Sequence, residues 1–282
     1  MTALWPSIDP SFAREIETRT PVRFRHGLAG HPLLTLEEIA RLAEELPPAS
    51  LSAEPAEKPI AAGDAADVAA STDDIGQRIR DVAANRSWFT LLHVHQVARY
   101  RALVDQVLDD LAEASGMDPQ DLTRRMGFLF ASSPKGVTAA HFDIEHSFCM
   151  QLQGTRTLGF GRFADEEEKA REVERYWNGS FGRFHEPPET VAEHVISPGT
   201  GCYIPPYTPH WIVNGEETSL SMTVTFMNRD NETESLVQAF NAKIARTGLT
   251  PHAFGDSPAR DRVKAGAMKA WAAVRRPRGA AR

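Results

Sequence analysis

Cysteine is scarce in this sequence: 282 residues hold two, Cys149 and Cys202. Two thiols build no disulfide framework, and both fall in expected core strands, where buried structural roles are anticipated. Long apolar runs are also missing. None approaches the roughly 20 residues of a membrane-spanning helix, and Met1-Thr-Ala-Leu-Trp5 lacks the basic-then-apolar plan of a secretory leader. A reducing cytoplasm and no membrane association are therefore expected. Positive charge is in deficit, with 31 Lys and Arg against 38 Asp and Glu and a net charge of -7. That balance argues against general nucleic-acid binding. No internal repeat is visible. What is present, 41% hydrophobic and 24% charged residues, suffices for a sizeable globular core.

In chain order, Pro21 to Arg25 reads as an edge strand, since Pro is tolerated at its start. Thr35 caps a helix, with Glu38 completing a capping box; Leu36, Ile39, Ala40, Ala43 and Leu46 form its apolar face, with Leu42 at the margin, and Pro47-Pro48 stop it. Residues 49–71 read as a linker in preference to a loop over an active-site mouth. A second helix is expected from Thr72 to Ala84, capped by Thr72 or Asp73. Trp88 to His95 reads as a strand with His93 and His95 on one face, core or pocket-lining groups. A longer helix runs from Gln96 to Ser115 and ends at Gly116.

From Arg124 the periodicity becomes that of strands: Met126–Ala131, Val137–Asp143, Phe148–Gln153 and Arg156–Arg162, the last two forming a β-hairpin around Gly154-Thr155. A charged insertion follows over residues 163–190, opening with a short helix and rich in aromatics. It reads equally as a substrate-facing segment or as an excursion with its own small core. Further strands are expected at His194–Ile196, Gly201–Ile204, His210–Val213 and Thr218–Phe226. Two helices close the chain, Glu232–Arg246 and Pro258–Arg275. The final residues are basic, and a solvated helix face is the preferred reading over a contact with acidic partners.

The chemistry concentrates in two stretches. His141-Phe142-Asp143 sits on an expected strand, where alternate side chains share a face. A third candidate, His210, closes Gly201 to His210. Two histidines and one carboxylate make the facial set that holds ferrous iron and leaves positions open. His146 has the wrong strand parity to join them.

These stretches resemble the cupin superfamily, and more closely its Jumonji-C-like branch of iron(II)- and 2-oxoglutarate-dependent oxygenases. Thr138, the H-x-D pair, Gln151, Gly154 and Arg156 match the first motif of that branch. Gly201, Pro205, His210 and Asn214 match the second. The resemblance spans roughly residues 124–228. It implies a mainly β fold with helical additions (α+β): a double-stranded β-helix, or jelly-roll barrel, at 124–228 with an insertion at 163–193. An N-terminal, mostly helical region at 1–123 and C-terminal helices at 229–282 would flank it.

The resemblance further implies His141, Asp143 and His210 as iron(II) ligands and as the catalytic centre. Arg156 would hold the far carboxylate of 2-oxoglutarate and Thr138 would supply a hydroxyl. Ser147 stands where the family often has Asn, and Thr225, like Gln151, is placed near the co-substrate by position. Many relatives carry Lys in place of Arg156; Lys135 is a second cation within reach. Tyr207, where many cupins have Gly, would narrow the pocket. The implied reaction is hydroxylation, or demethylation through hydroxylation, of a small molecule or protein side chain. The C-terminal helices of such relatives often pair, so a homodimer is implied. Two alternatives stand beside this reading. One is a cupin enzyme using another metal without 2-oxoglutarate, disfavoured because Ser147-Phe148 replaces the expected Glu. The other is a non-catalytic metal-binding sensor or regulator.

Overall fold

Two antiparallel sheets face each other and enclose the site, with helices covering the outer face of the larger sheet. The computed structural model describes residues 4–63 and 73–275. The N-terminal part supplies α1 (Phe12–Glu17), β1 (Val22–Arg25), α2 (Leu36–Glu45), β2 (Leu51–Pro55), α3 (Ile75–Arg80), β3 (Ser87–Leu91) and α4 (Ala98–Ser115). The central part supplies β4 (Thr123–Ser132), β5 (Val137–His141), β6 (His146–Gln153), β7 (Arg156–Arg162), α5 (Glu166–Arg175), β8 (Glu189–Ile196), β9 (Thr200–Ile204), β10 (His210–Asn214) and β11 (Ser219–Met227). Helices α6 (Arg229–Ala245) and α7 (Pro258–Arg275) complete the chain.

The larger sheet runs β1-β9-β6-β11-β4-β3-β2 and the smaller β5-β10-β7-β8. This is the jelly-roll arrangement, mainly β with flanking helices. Central strands β6 and β11 are buried on both faces. Their alternation divides two environments. Phe148, Met150, Met222, Val224 and Phe226 pack outward with Tyr100, Val104 and Val107 of α4 in the main core. Ser147, Cys149, Thr223 and Thr225 point inward, toward the smaller sheet. Clean alternation in Ser219–Phe226 thus separates core from cavity.

Several sequence expectations change. Residues 156–162 do not form a hairpin with β6: β7 pairs β10 and β8 in the other sheet. Gly154 carries the chain between sheets at φ +71°, and an added Cβ would lie 2.5 Å from the Thr218 carbonyl oxygen. Residues 51–55, expected in a linker, pair with β3 because Leu51 and Ala53 have a core to enter. The loop after them also docks, Ile60 accepting a backbone bond from Ala140. The rest of the expected linker, and Thr72 as a cap, lie outside the described residues.

Helix α3 begins after Asp74, which is left-handed and makes no side-chain cap. At α2 the Thr35 side chain caps the Glu38 amide, but Glu38 accepts from Arg41 instead of closing the box. Leu42 is fully buried there, not marginal. Strand β3 ends at Leu91, since left-handed His93 (φ 54°) turns the chain into a short 3-10 helix. Insertion helix α5 and its following turn build a small core, with Val173 and Phe184 packed around Phe142, Tyr207 and Trp211. Lys135 is exposed and paired with Glu216.

Candidate metal centre and its cavity

Strand pairing, not sequence proximity, assembles the site. His210 of β10 lies directly opposite His141 of β5 in the register, and their ring centroids are 4.2 Å apart. Strand β5 stops at His141, so Asp143 sits just beyond it in a loop rather than on the strand. That loop is held by the Tyr207 amide donating to the Asp143 carbonyl (2.6 Å) and the Phe142 amide donating to Gly182 O (3.2 Å). The carboxylate Oδ2 then stands 3.9 Å from His141 Nε2 and 3.8 Å from His210 Nε2. All three candidate ligand atoms lie within 4.8 Å of one another, and this is the only such group among the described residues.

The two imidazoles are oriented alike. His141 Nδ1 meets the carbonyl of Ala139 at 2.8 Å and His210 Nδ1 that of Thr208 at 2.9 Å. Each Nδ1 therefore carries the proton and donates, leaving the Nε2 lone pair toward the shared point, as metal-ligating histidines are commonly held. Burial, reinforced by the neighbouring His141, pushes the His210 pKa down to about 4 against the opposing pull of Asp143. The ring is neutral at pH 7 and free to ligate. Asp143, 41% exposed in its side chain, is on the open side.

The triad borders a cavity of about 290 Å³ between the sheets. Thr138, Ser147, Arg156 and Thr225, each singled out from the sequence, line it. Arg156 is 1% exposed. Its Nη2 donates to Ser219 Oγ (2.8 Å), its Nη1 points at Cys149 Sγ (4.0 Å), and the Trp88 ring lies 5.8 Å from its Cζ. No carboxylate pairs with it among the described residues, and its Nε has no partner. Burial lowers its pKa, partly offset by Cys149. The hydroxyls of Thr138, Ser147 and Thr225 are likewise buried and unpartnered. A buried, unpaired guanidinium costs several kcal/mol, roughly, unless an anion joins it. Three unpartnered hydroxyls beside it extend the same polar cradle.

Other expectations resolve as follows. His146 stays out of the site: its Nδ1 meets Tyr203 OH at 2.8 Å on the opposite face. Gln151 does not line the cavity; it donates to Ser219 Oγ at 2.9 Å and so backs Arg156 indirectly. Tyr207 keeps the left-handed backbone that Gly would favour (φ 57°), yet its ring packs against Phe142 and leaves the pocket unnarrowed. None of the described residues of the 163–190 insertion lines this cavity; Gly182 approaches the Phe142 backbone and braces the Asp143 loop from outside.

Three contributors were invisible in the sequence. Ser219 and Trp88 reach Arg156 only because the larger sheet faces the smaller, and Glu145 reaches the cavity through the loop after Asp143. Glu145 also lines the adjoining groove with Arg101 and Arg124. Burial, then the charge of Asp143, pushes its pKa up to about 7. Of the two histidines expected on one strand face, His93 lines the cavity and His95 the groove.

Residues 113–235 match the family model described as the JmjC domain. That stretch is similar to a JmjC domain. Around it the whole fold follows a known plan: the solved structure of Escherichia coli ycfD superposes with a TM-score of 0.50 at 16% identity, covering 94% of this chain and 68% of that one. At that identity the likeness speaks for the fold. A second structure, of the E. coli ribosomal oxygenase YcfD in complex with cobalt and 2-oxoglutarate, gives 0.47 at 15% identity over 96% and 68%. No curated protein matches the sequence. Within the matched residues lie all three triad residues, Arg156 and the cradle hydroxyls. No helix of the described residues is long and apolar enough to cross a membrane.

Proposed function

We propose that the protein is an iron(II)- and 2-oxoglutarate-dependent oxygenase. His141, Asp143 and His210 would hold the metal, and Arg156 would grip the far carboxylate of 2-oxoglutarate. One observation carries the reading: a two-histidine, one-carboxylate group shares a cavity with a buried guanidinium that has no anionic partner among the described residues. The donor set suits ferrous iron, whose bound form supplies dioxygen activation coupled to oxidation of the 2-oxo acid. The protein's own residues do the rest. Arg156 offers two donors to one carboxylate, Thr138, Ser147 and Thr225 orient the chain of the co-substrate, and Trp88 and Phe130 exclude water. The substrate is a small molecule or a protein side chain, hydroxylated or demethylated through hydroxylation, and it enters on the open side of Asp143, beside Glu145.

The working unit in this reading is 124–228, with the described residues of 1–123 and 229–275 packed on it, in a reducing cytoplasm that suits ferrous iron. Exposed Val263 and Val274 on α7 support a homodimer through the C-terminal helices; a monomeric mass at working concentration removes that part. Anaerobic titration with ferrous iron and then 2-oxoglutarate tests the main proposal. A visible charge-transfer band should need both, and should vanish in Asp143→Ala and His210→Ala. Iron binding with no band would move a cupin enzyme of another kind to first place, and no metal binding would favour a non-catalytic regulator whose metal site is vestigial.

A further inference from the structure

Cys149 and Cys202 are register partners across β6 and β9. Directly opposed residues of an antiparallel pair stand about 4.5–5.5 Å apart at Cα with side chains on one face. A disulfide spans roughly 4.4–6.8 Å at Cα. Both thiols are free, both are buried, and both belong to the same cluster between the sheets. Packing alone would explain two small apolar groups there. Cys149 has two further properties. It lines the cavity, and its sulfur is one of the two side-chain atoms to which the Arg156 guanidinium donates.

We propose that Cys149 and Cys202 form a reversible disulfide, a redox site that draws the Cys149 sulfur from Arg156 and loosens its hold on a carboxylate ligand. The functional consequence rests on the co-substrate reading above; the covalent step does not. With hydrogen peroxide as oxidant, the Cys149 sulfur attacks one peroxide oxygen, the O–O bond breaks, and a sulfenic acid and one water result. The Cys202 sulfur then attacks the sulfenic sulfur, the S–O bond breaks, and the hydroxyl leaves as a second water with the Cys202 proton. Two thiols lose two electrons and two protons, and one peroxide is reduced to two waters. The order follows from access: Cys149 meets the cavity, whereas burial holds the Cys202 thiol well above its ordinary pKa. Disulfides of reducing compartments are usually of this transient, sensing kind.

The test uses the full chain, reduced or treated with peroxide in the absence of iron. Intact mass and non-reducing peptide mapping should show loss of two hydrogens and a 149–202 cross-link, reversed by dithiothreitol. With zinc in the metal site, which undergoes no redox change, calorimetry should find 2-oxoglutarate bound about tenfold more weakly after oxidation, the scale of one hydrogen bond to a charged group. Cys202→Ala, or Cys202→Val if alanine loosens the core, should gain oxygen rather than lose hydrogens. A wild-type mass that only gains oxygen overturns the disulfide. A cross-link with unchanged affinity overturns the control of Arg156. Reduced protein that binds zinc but no 2-oxoglutarate defeats the co-substrate reading and the consequence with it, while the mass still decides the covalent claim.

Discussion

Arg156 and Ser219 are joined by a 2.8 Å hydrogen bond across 63 residues of sequence, and Gln151 donates to the same hydroxyl oxygen at 2.9 Å. The serine is thus the fixed point on which the buried cation of the cavity is oriented. Removing it should leave the metal site alone and disturb only the anion site. Ser219→Ala is expected to weaken 2-oxoglutarate binding about tenfold with metal affinity unchanged, measured by calorimetry. Equal loss of both would make Ser219 a general support of the fold.

Arg156 carries a cost that only a ligand offsets. Replacing even a buried ion pair with apolar side chains of similar volume is often neutral or stabilising by about 1–4 kcal/mol, and a cation without a carboxylate partner has less to lose. Arg156→Met should therefore raise the melting temperature of the ligand-free protein while abolishing 2-oxoglutarate binding. A lower melting temperature would show that the Ser219 and Cys149 contacts repay the burial.

Metal binding to the triad should appear as stability. Zinc or cobalt at a hundredfold excess over its dissociation constant should add about 2.7 kcal/mol to unfolding. Asp143→Ala should fold without the metal, since its carboxylate is 41% exposed, but should lose most of that increment. An undiminished increment would place the bound metal elsewhere.

Gly154 tests the crossing between sheets. Its φ of +71° and the Thr218 carbonyl beside it leave no room for a side chain. Gly154→Ala should cost at least about 2 kcal/mol in denaturant unfolding. A negligible loss would mean that the turn can relax without moving β7.

Acid should destabilise the fold through buried histidines. Burial pushes His26 down to about 4, against the pull of the Thr200 carbonyl, and His146 to about 3, with the Arg19 charge assisting. The unfolded chain, with histidine near 6.5, binds more protons between those limits, so stability rises with pH there. It is complete above about pH 6.5 and lost as pH falls toward 4 and then 3. Melting temperatures from pH 7 to 4 should show this slope, and His26→Asn, which can still accept from the Leu28 amide, should flatten it. An unchanged slope would assign the acid limb to groups other than His26.

Residue types and spacing were enough to determine much of this protein. The H-x-D pair and His210 stood out by residue type and spacing, whereas Thr138 and Arg156 came from the resemblance to the Jumonji-C-like branch; all five line one cavity. Alternation in Ser219–Phe226 marked a strand with one apolar and one polar face, and the bounds of α7 followed from its own pattern. Period-two patterning says which face of a strand is buried; it does not say which strand lies beside it. Only the tertiary structure therefore decided that β6 and β7 part into different sheets. It also decided that His141 and His210 meet, that Ser219 and Trp88 seat Arg156, that Asp143 lies in a loop, and that Cys149 faces Cys202. Each of these joins residues far apart in the chain, where long-range pairing and packing set the neighbours and local sequence carries no signal.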